Sequence, residues 1–216
     1  MMPFLVTPNA KRSATILATI LVIGLILSPR YLLYSDAPRK SDIIIIFPDP
    51  ELDAIRREAQ QLIGNGYSKY LCIPTSFSLY RVDQDKTGFT AVLNPAVKPG
   101  IGLSLRRFED NISMDYFLKT KQDCGFPQYF ENTHVEMLLA KKVMDAYGFK
   151  SAIFVSSPYH MKRIKVMANR VFCSAYDITL VSSFEKSNDG LLILWNEPKH
   201  VFMEYMKLIW FLCYDF

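Results

Sequence analysis

The chain has 216 residues, of which 50% are hydrophobic and 21% are charged, and its formal net charge is +4. This length fits about one domain with a short additional segment, and the composition excludes disorder, collagen-like repeats and a small disulfide-stabilised fold. Residues 1–40 contain five cationic residues and one acidic residue, so the whole positive excess lies there and residues 41–216 are neutral. A nucleic-acid-binding surface is therefore not expected on the folded domain.

The N-terminal region predicts a membrane anchor. Residues 13–29 are a run of 17 residues without a charged side chain, which is the short end of the length that spans a bilayer. Arg30, Tyr31 and Tyr34 follow, and these residue types suit the headgroup region. A cleaved signal peptide and a buried helix are the alternatives, but no Ala-x-Ala-like cleavage site follows the run. We expect a basic tail at 1–12, a single transmembrane anchor at 13–34, a linker at 35–41 and an α/β domain at 42–216.

Charge sets the orientation of this anchor only weakly. Lys11 and Arg12 precede the apolar run, and Arg30, Arg39 and Lys40 follow it. The positive-inside counts of the two sides are therefore close to equal. A very short N-terminal tail usually stays inside, which predicts that the domain lies on the extracytoplasmic side.

From residue 42 onward the chain alternates predicted strands and helices. Residues 42–47 form a β-branched apolar run, which is typical of a strand buried on both faces. A helix and a second strand follow, as at the start of a parallel sheet, and a variable insertion at 74–127 is broken up by glycine and proline. The expected fold is a three-layer, mostly parallel, Rossmann-like α/β sandwich. The further predicted elements are helices at 51–64, within 103–121, and at 133–148, 158–171 and 198–212, and strands at 70–73, 88–93, 151–155 and 177–181.

The four cysteines contain no C-x-x-C pair, so no zinc or redox motif is predicted. Cys72 and Cys213 lie in apolar segments and are interpreted as buried. Cys124 and Cys173 are the pair that an exported domain could join in a disulfide. Neither a cofactor nor a metal ion is predicted.

The segment from Ser156 to Arg163 carries the strongest chemical signal. It lies where a predicted parallel strand ends and a helix begins, and open α/β sheets bind ligands at such places. The first N–H groups of a helix favour an anion, and the hydroxyls of Ser156 and Ser157 add donors. His160 and Arg163 share a helix face, where they could bind a phosphate or carboxylate, and His160 could act as a general acid or base. The alternative is a helix capped by Ser157 with solvated surface groups.

A second segment, residues 131–136, precedes another helix. Thr133 and Glu136 have the spacing of a capping box. That box does not account for Glu131 or Asn132, and a carboxylate at Glu131 could orient the histidine of the first segment or act as a base. His134 is interpreted as packed or solvent-facing rather than catalytic.

The turn after the first strand contains no glycine, so a dinucleotide fingerprint is absent. Asp49 could contact a ligand there, although an acid at a helix start is commonly structural. Arg56 could point back to the same sheet edge. No G-x-S-x-G, H-E-x-x-H or P-loop sequence occurs.

Together these segments resemble the YdcF-like family, bacterial envelope proteins of the SanA, ElyC and YdcF type, over about residues 40–213. The resemblance implies a single-pass protein of the bacterial plasma membrane, tied to peptidoglycan and lipid-carrier metabolism and barrier integrity. One branch of the family is linked to S-adenosylmethionine. The chain departs from the family in the glycine-rich turns after the first two strands, which read Phe47-Pro-Asp-Pro50 and Ile73-Pro-Thr-Ser76 here. The blocks that carry the resemblance are residues 43–47, Arg56 or Arg57 with Gly66, Asn132-Thr133 with Glu131 and Glu136, and residues 156–160 with Arg163.

Three functions follow as hypotheses. The first is a membrane-anchored envelope domain that binds, and could hydrolyse or transfer, an anionic small molecule or lipid-linked phosphate. The second is a non-enzymatic envelope scaffold, and the third is a cytoplasm-facing domain that binds a nucleotide or S-adenosylmethionine. The first assigns catalysis to His160 and Glu131, and ligand binding to Asp49, Arg56, Asn132, Thr133, Ser156, Ser157 and Arg163.

Overall fold

A computed structural model describes residues 30–48, 52–76, 78–82, 89–91, 114–183 and 198–214 of the chain. Six strands form one sheet with the order β4-β3-β2-β1-β5-β6. Strands β2, β1, β5 and β6 run parallel, and the hairpin of β3 and β4 adds an antiparallel edge. The prediction of an α/β fold with a mostly parallel sheet is confirmed. The strands are β1 (Ile43–Ile46), β2 (Tyr70–Ile73), β3 (Ser78–Val82), β4 (Phe89–Ala91), β5 (Ser151–Ser156) and β6 (Asp177–Ser182).

The helices connect these strands and match most of the predicted positions. Strand β3 was not predicted, and the helix expected from residue 158 starts with a short 3₁₀ turn, Pro158–His160. Gly148 ends one helix at a φ of 70°, a left-handed conformation that glycine adopts without strain. The α-helices are α1 (Leu52–Gly64), α2 (Met114–Asp123), α3 (Asn132–Tyr147), α4 (Met161–Val171) and α5 (Pro198–Cys213).

The core lies on both faces of the sheet, which explains the unbroken apolar run in β1. Ile43 and Ile45 pack with residues of α3 and α4, whereas Ile44 and Ile46 pack with residues of α1. All four isoleucines are fully buried. Burial of each contributes about 1.5–3 kcal/mol, so a polar residue at any of them would be strongly destabilising.

The strand order reverses between β1 and β5. The chain leaves β1 through α1 to reach β2 on one side, and it reaches β5 on the other side only after α3. The carboxyl ends of β1 and β5 therefore border a topological switch point, where open α/β sheets hold their ligands. Ser156 Oγ donates a hydrogen bond of 3.0 Å to the carbonyl oxygen of Phe47 across this point.

The predicted linker at 35–41 is attached to the edge of the sheet. Asp36 N donates to Leu180 O at 2.6 Å, and Leu180 N donates to Asp36 Oδ2 at 3.1 Å, so this segment satisfies the backbone of β6. Just before it, Leu32 is fully buried against Tyr159 and Val201. Residues 13–29 of the predicted anchor lie outside the described residues. Among the described residues, no helix has the length and apolar character needed to cross a membrane.

The cysteines correct part of the sequence interpretation. Cys72 is fully buried, as predicted, and burial raises the pKa of its thiol to about 12. Cys213 is exposed, so its predicted burial is wrong, because α5 turns that side of the helix to solvent. Cys124 and Cys173 are both free thiols, so the disulfide considered for them is not formed.

Candidate functional site

Five ionisable side chains converge behind the carboxyl ends of β1 and β5, and we refer to them as the ionic network. They come from the start of α3, from the first turns of α4 and from the middle of α5. Those three helices are separated in sequence, so the network exists only in the folded protein. Its members are Glu131, His160, Arg163, Glu204 and Lys207.

Arg163 is the centre of the ionic network. Its side chain is 1% exposed, with Nε 2.8 Å from Glu204 Oε2 and Nη1 2.8 Å from Glu131 Oε2. Nη2 also donates to Glu204 Oε1 at 3.2 Å, which makes the contact with Glu204 bidentate. Burial alone would lower the pKa of Arg163, but the charges of Glu131 and Glu204 outweigh it and raise that pKa. The guanidinium therefore stays charged while buried.

Glu204 uses both carboxylate oxygens inside the protein. Oε2 lies 3.4 Å from His160 Nε2 as well as close to Arg163, and Oε1 accepts from Lys207 Nζ at 2.9 Å. Burial alone would raise the pKa of Glu204, but His160, Arg163 and Lys207 outweigh it and hold the pKa below its usual value. Glu204 is 3% exposed and the side chain of Lys207 is 38% exposed, so Lys207 is the solvent end of the network.

The His160 ring lies between a hydroxyl and a carboxylate. Nδ1 is 3.4 Å from Ser156 Oγ, and Nε2 is 3.4 Å from Glu204 Oε2. A carboxylate on one ring nitrogen orients an imidazole and favours one tautomer. The sequence predicted that Glu131 could orient this histidine, whereas the carboxylate beside it is Glu204. His160 is 4% exposed, so in this conformation it is not a surface residue.

Glu131 caps helix α3, a role that the sequence interpretation assigned to Thr133. It is the N-cap of α3, and its Oε2 accepts from Thr133 N at 2.8 Å while also binding Arg163. The predicted capping box, with Thr133 as the cap, is therefore wrong, because Arg163 holds the Glu131 carboxylate at the helix start. Asn132 is the first residue of α3 and is partly buried, and Thr133 is buried behind the cap.

The remaining predicted site residues divide into three groups. Ser156 and Ser157 are fully buried at the end of β5, and Ser157 makes no side-chain capping hydrogen bond to the 3₁₀ turn. Arg56 lies on α1 and pairs with Asp53 at 3.8 Å. Asp49 lies outside the described residues.

His134 is packed, which is one of the two positions that the sequence left open, and it lies beside the network rather than within it. Its ring contacts Phe130, Phe211 and Tyr214, and Nδ1 is 3.0 Å from Tyr214 Oη. Burial lowers the pKa of His134 to about 4, a shift that Glu131 partly opposes. The same Tyr214 Oη accepts from Glu131 N at 3.3 Å, so these packed rings also stabilise the start of α3.

Sequence reasoning missed Glu204 and Lys207. The sequence around them, PKHVFMEYMKLIWFLC, is dominated by apolar and aromatic residues, and Glu204 is its only acid. A single acid in such a helix is the signal that could have found it, because a buried acid needs a cation or hydrogen bonds nearby. Its partner Arg163 is 41 residues away, so no local spacing reveals the pair.

No known protein family, curated protein or solved structure matches this chain. A buried histidine held by a carboxylate can exchange a proton. A half-exposed lysine that contacts the same carboxylate can bind an anion.

Proposed function

We propose that this protein is a membrane-anchored envelope domain that binds an anionic, phosphate-containing small molecule or lipid-linked phosphate at the carboxyl ends of β1 and β5. The observation that carries the proposal is the ionic network at the switch point of the sheet. Buried ion networks cost desolvation energy, and apolar residues of similar volume are often at least as stabilising. A cluster of buried ionisable groups at the place where such sheets bind ligands favours a functional role over a structural one.

In this proposal the members of the network have different tasks. Glu131, Arg163 and Glu204 are positioning residues, because their charges are engaged with one another and they are nearly inaccessible. Lys207 is the cation that an incoming anion meets first, since its side chain is 38% exposed. His160, held by Glu204, is the candidate acid or base if the bound ligand reacts.

The ionic network also supports the proposed YdcF-like relationship. Two of the four blocks that carry the resemblance, residues 131–136 and residues 156–163, meet through the contact of 2.8 Å between Arg163 and Glu131. We infer a three-layer, Rossmann-like domain behind a single anchor, on the extracytoplasmic side of a bacterial plasma membrane.

Calorimetric titration tests the proposed ligand. The full chain in detergent micelles is titrated with inorganic pyrophosphate and with a polyprenyl phosphate. Lys207→Gln should weaken binding about tenfold or more, because it removes one charge-assisted hydrogen bond. Lys69→Gln changes an exposed lysine at the opposite, amino end of β2 and should bind as the wild type does.

One observation favours the second candidate, a non-enzymatic scaffold. Arg163 and Glu204 satisfy each other without any ligand, so the network could serve only to join three helices. The same titration separates the candidates. Absence of binding to both phosphates, or equal binding by the wild type and Lys207→Gln, would overturn the ligand site and favour the scaffold.

A further inference from the structure

Helix α5 presents an apolar face to solvent. This face consists of Phe202, Met203, Met206, Ile209 and Trp210, which are 63%, 43%, 45%, 51% and 50% exposed. At about 100° per residue, the five side chains fall within an arc of about 120°. The buried residues Val201, Glu204, Leu208 and Phe211 lie on the opposite side of the helix. A contiguous apolar face of this kind marks an interaction surface.

Within helices α4 and α5, the charged side chains that reach solvent are of one sign. The only acid of α5 is Glu204, which is 3% exposed, and α4 contains no acid at all. Lys199 on α5 is exposed, and Lys207 is the half-exposed end of the ionic network. On the neighbouring helix, Lys162 Nζ lies 4.4 Å above the ring of Tyr31. An apolar face that has these three lysines beside it is complementary to an anionic lipid surface.

Aromatic residues with a polar group border the same face. Trp210 Nε1 donates to the carbonyl oxygen of Tyr129 at 2.9 Å, and the ring of Tyr129 is 55% exposed. Tyr31, also 55% exposed, stacks on Tyr205 of α5 with ring centroids 6.4 Å apart. Trp and Tyr concentrate at the boundary between headgroups and acyl chains, where one end of the side chain is apolar and the other is hydrated.

The first described residues of the chain pack on α5. The described chain begins at Arg30, and the next residues pack on α5 through Tyr31 and through Leu32, which contacts Val201. The uncharged run at 13–29 therefore joins the domain beside α5. If that run enters a bilayer, the residues that directly follow it hold α5 close to the point of entry.

We propose that α5 lies in the interface of an anionic lipid bilayer, with its apolar face among the upper acyl chains and the surrounding lysines at the headgroups. This is a second membrane contact, separate from the anchor, and it does not depend on a ligand at the sheet edge. It holds the ionic network close to the membrane surface, because Glu204 and Lys207 belong to the same helix.

Quenching of Trp210 fluorescence tests this contact directly. In a Trp195→Phe background Trp210 is the only tryptophan, since the chain has two. The full chain is reconstituted in vesicles of phosphatidylcholine and phosphatidylglycerol whose lipids are brominated in the upper part of the acyl chain. Trp210 should be quenched, and Met206→Glu with Ile209→Glu should abolish the quenching, because two buried carboxylates oppose insertion.

The matched control places the same two charges elsewhere. Gln60→Glu with Gln61→Glu changes two exposed positions of α1 and should leave the quenching intact. Wild-type Trp210 that is not quenched would overturn the proposal. If Trp210 is not quenched, sedimentation of the protein in detergent distinguishes two explanations. A dimer that the α5 variant dissociates identifies a second copy as the occupant, and an unquenched monomer identifies the chain's own apolar run. Calorimetry of the sheet-edge site is unaffected by either result.

Discussion

His134 is a buried histidine whose protonation opposes folding. It is 2% exposed among aromatic rings, and burial lowers the pKa of its imidazole from 6.5 to about 4. An unfolded chain therefore binds a proton between these two pH values that the folded chain does not bind. The stability that depends on neutral His134 is complete above pH 6.5 and decreases as the pH falls towards 4.

The expected loss from this residue is about 2–3 kcal/mol across that interval. It is measured as the free energy of urea unfolding of the full chain in micelles, above pH 6.5 and near pH 4.5. His134→Phe keeps an aromatic ring in place of the imidazole and removes the titration. The variant should lose less stability on acidification than the wild type does. Equal losses in the two proteins would show that another group causes the acid sensitivity.

At the scale of elements, the ionic network joins three helices that are distant in sequence. Arg163 on α4 binds Glu131 at the start of α3 and Glu204 on α5. Arg163→Met leaves both carboxylates buried without their central cation, which should cost about 3–5 kcal/mol of unfolding free energy. Lys119→Met, at an exposed position of α2, should change it by only about 0.5 kcal/mol.

The double variant Arg163→Met with Glu204→Met distinguishes a coupled pair from two independent sites. Removing both charges eliminates the unpaired carboxylate of Glu204, so the double variant should be more stable than the sum of the single effects by about 1–3 kcal/mol. The free energy of urea unfolding is measured under one condition for the wild type, Arg163→Met, Glu204→Met and the double variant. Additive single effects would contradict the direct coupling that the bidentate contact implies.

The elements that sequence patterns predicted well are those whose burial is local. The β-branched run of β1 and the strand before the helix at 158–171 indicate their own structure, because every residue in them except Ser151 is buried. Strand β3 gave no such signal, since SLYRV mixes polar and apolar residues and depends on pairing with β2. Propensity alone does not decide such a segment.

The sequence predicted where the candidate site lies but not which side chains contact one another there. Ser156, His160 and Arg163 lie together after β5 because strand end and helix start are adjacent in the sequence. Their carboxylate partner Glu204 comes from α5, and the choice of Glu131 over Thr133 as the cap of α3 depends on Arg163. Both features are tertiary contacts, which no spacing rule within one helix contains.

At the scale of the whole molecule, the first described residues of the chain lie against α5. The net charge of the chain resides in residues 1–40, and in the described part of that segment Tyr31 and Leu32 pack on Tyr205 and Val201 of α5. Residues 30–34, the aromatic border and the lysines of α4 thus belong to one region of the described molecule. If the proposed anchor is present, the side of the membrane on which the domain lies determines which phosphates the proposed site can meet.

Cysteine labelling decides that side, because the structure supplies both a reporter and an internal control. Cys173 is an exposed free thiol, whereas Cys72 is fully buried with its thiol pKa raised to about 12. In a Cys124→Ser, Cys213→Ser background, a membrane-impermeant maleimide added to intact bacterial cells should label Cys173 if the domain is extracytoplasmic. The thiolate is the reactive form, so Cys72 should react only after unfolding. Adding Cys173→Ser should remove the label, and labelling that requires cell lysis would place the domain in the cytoplasm.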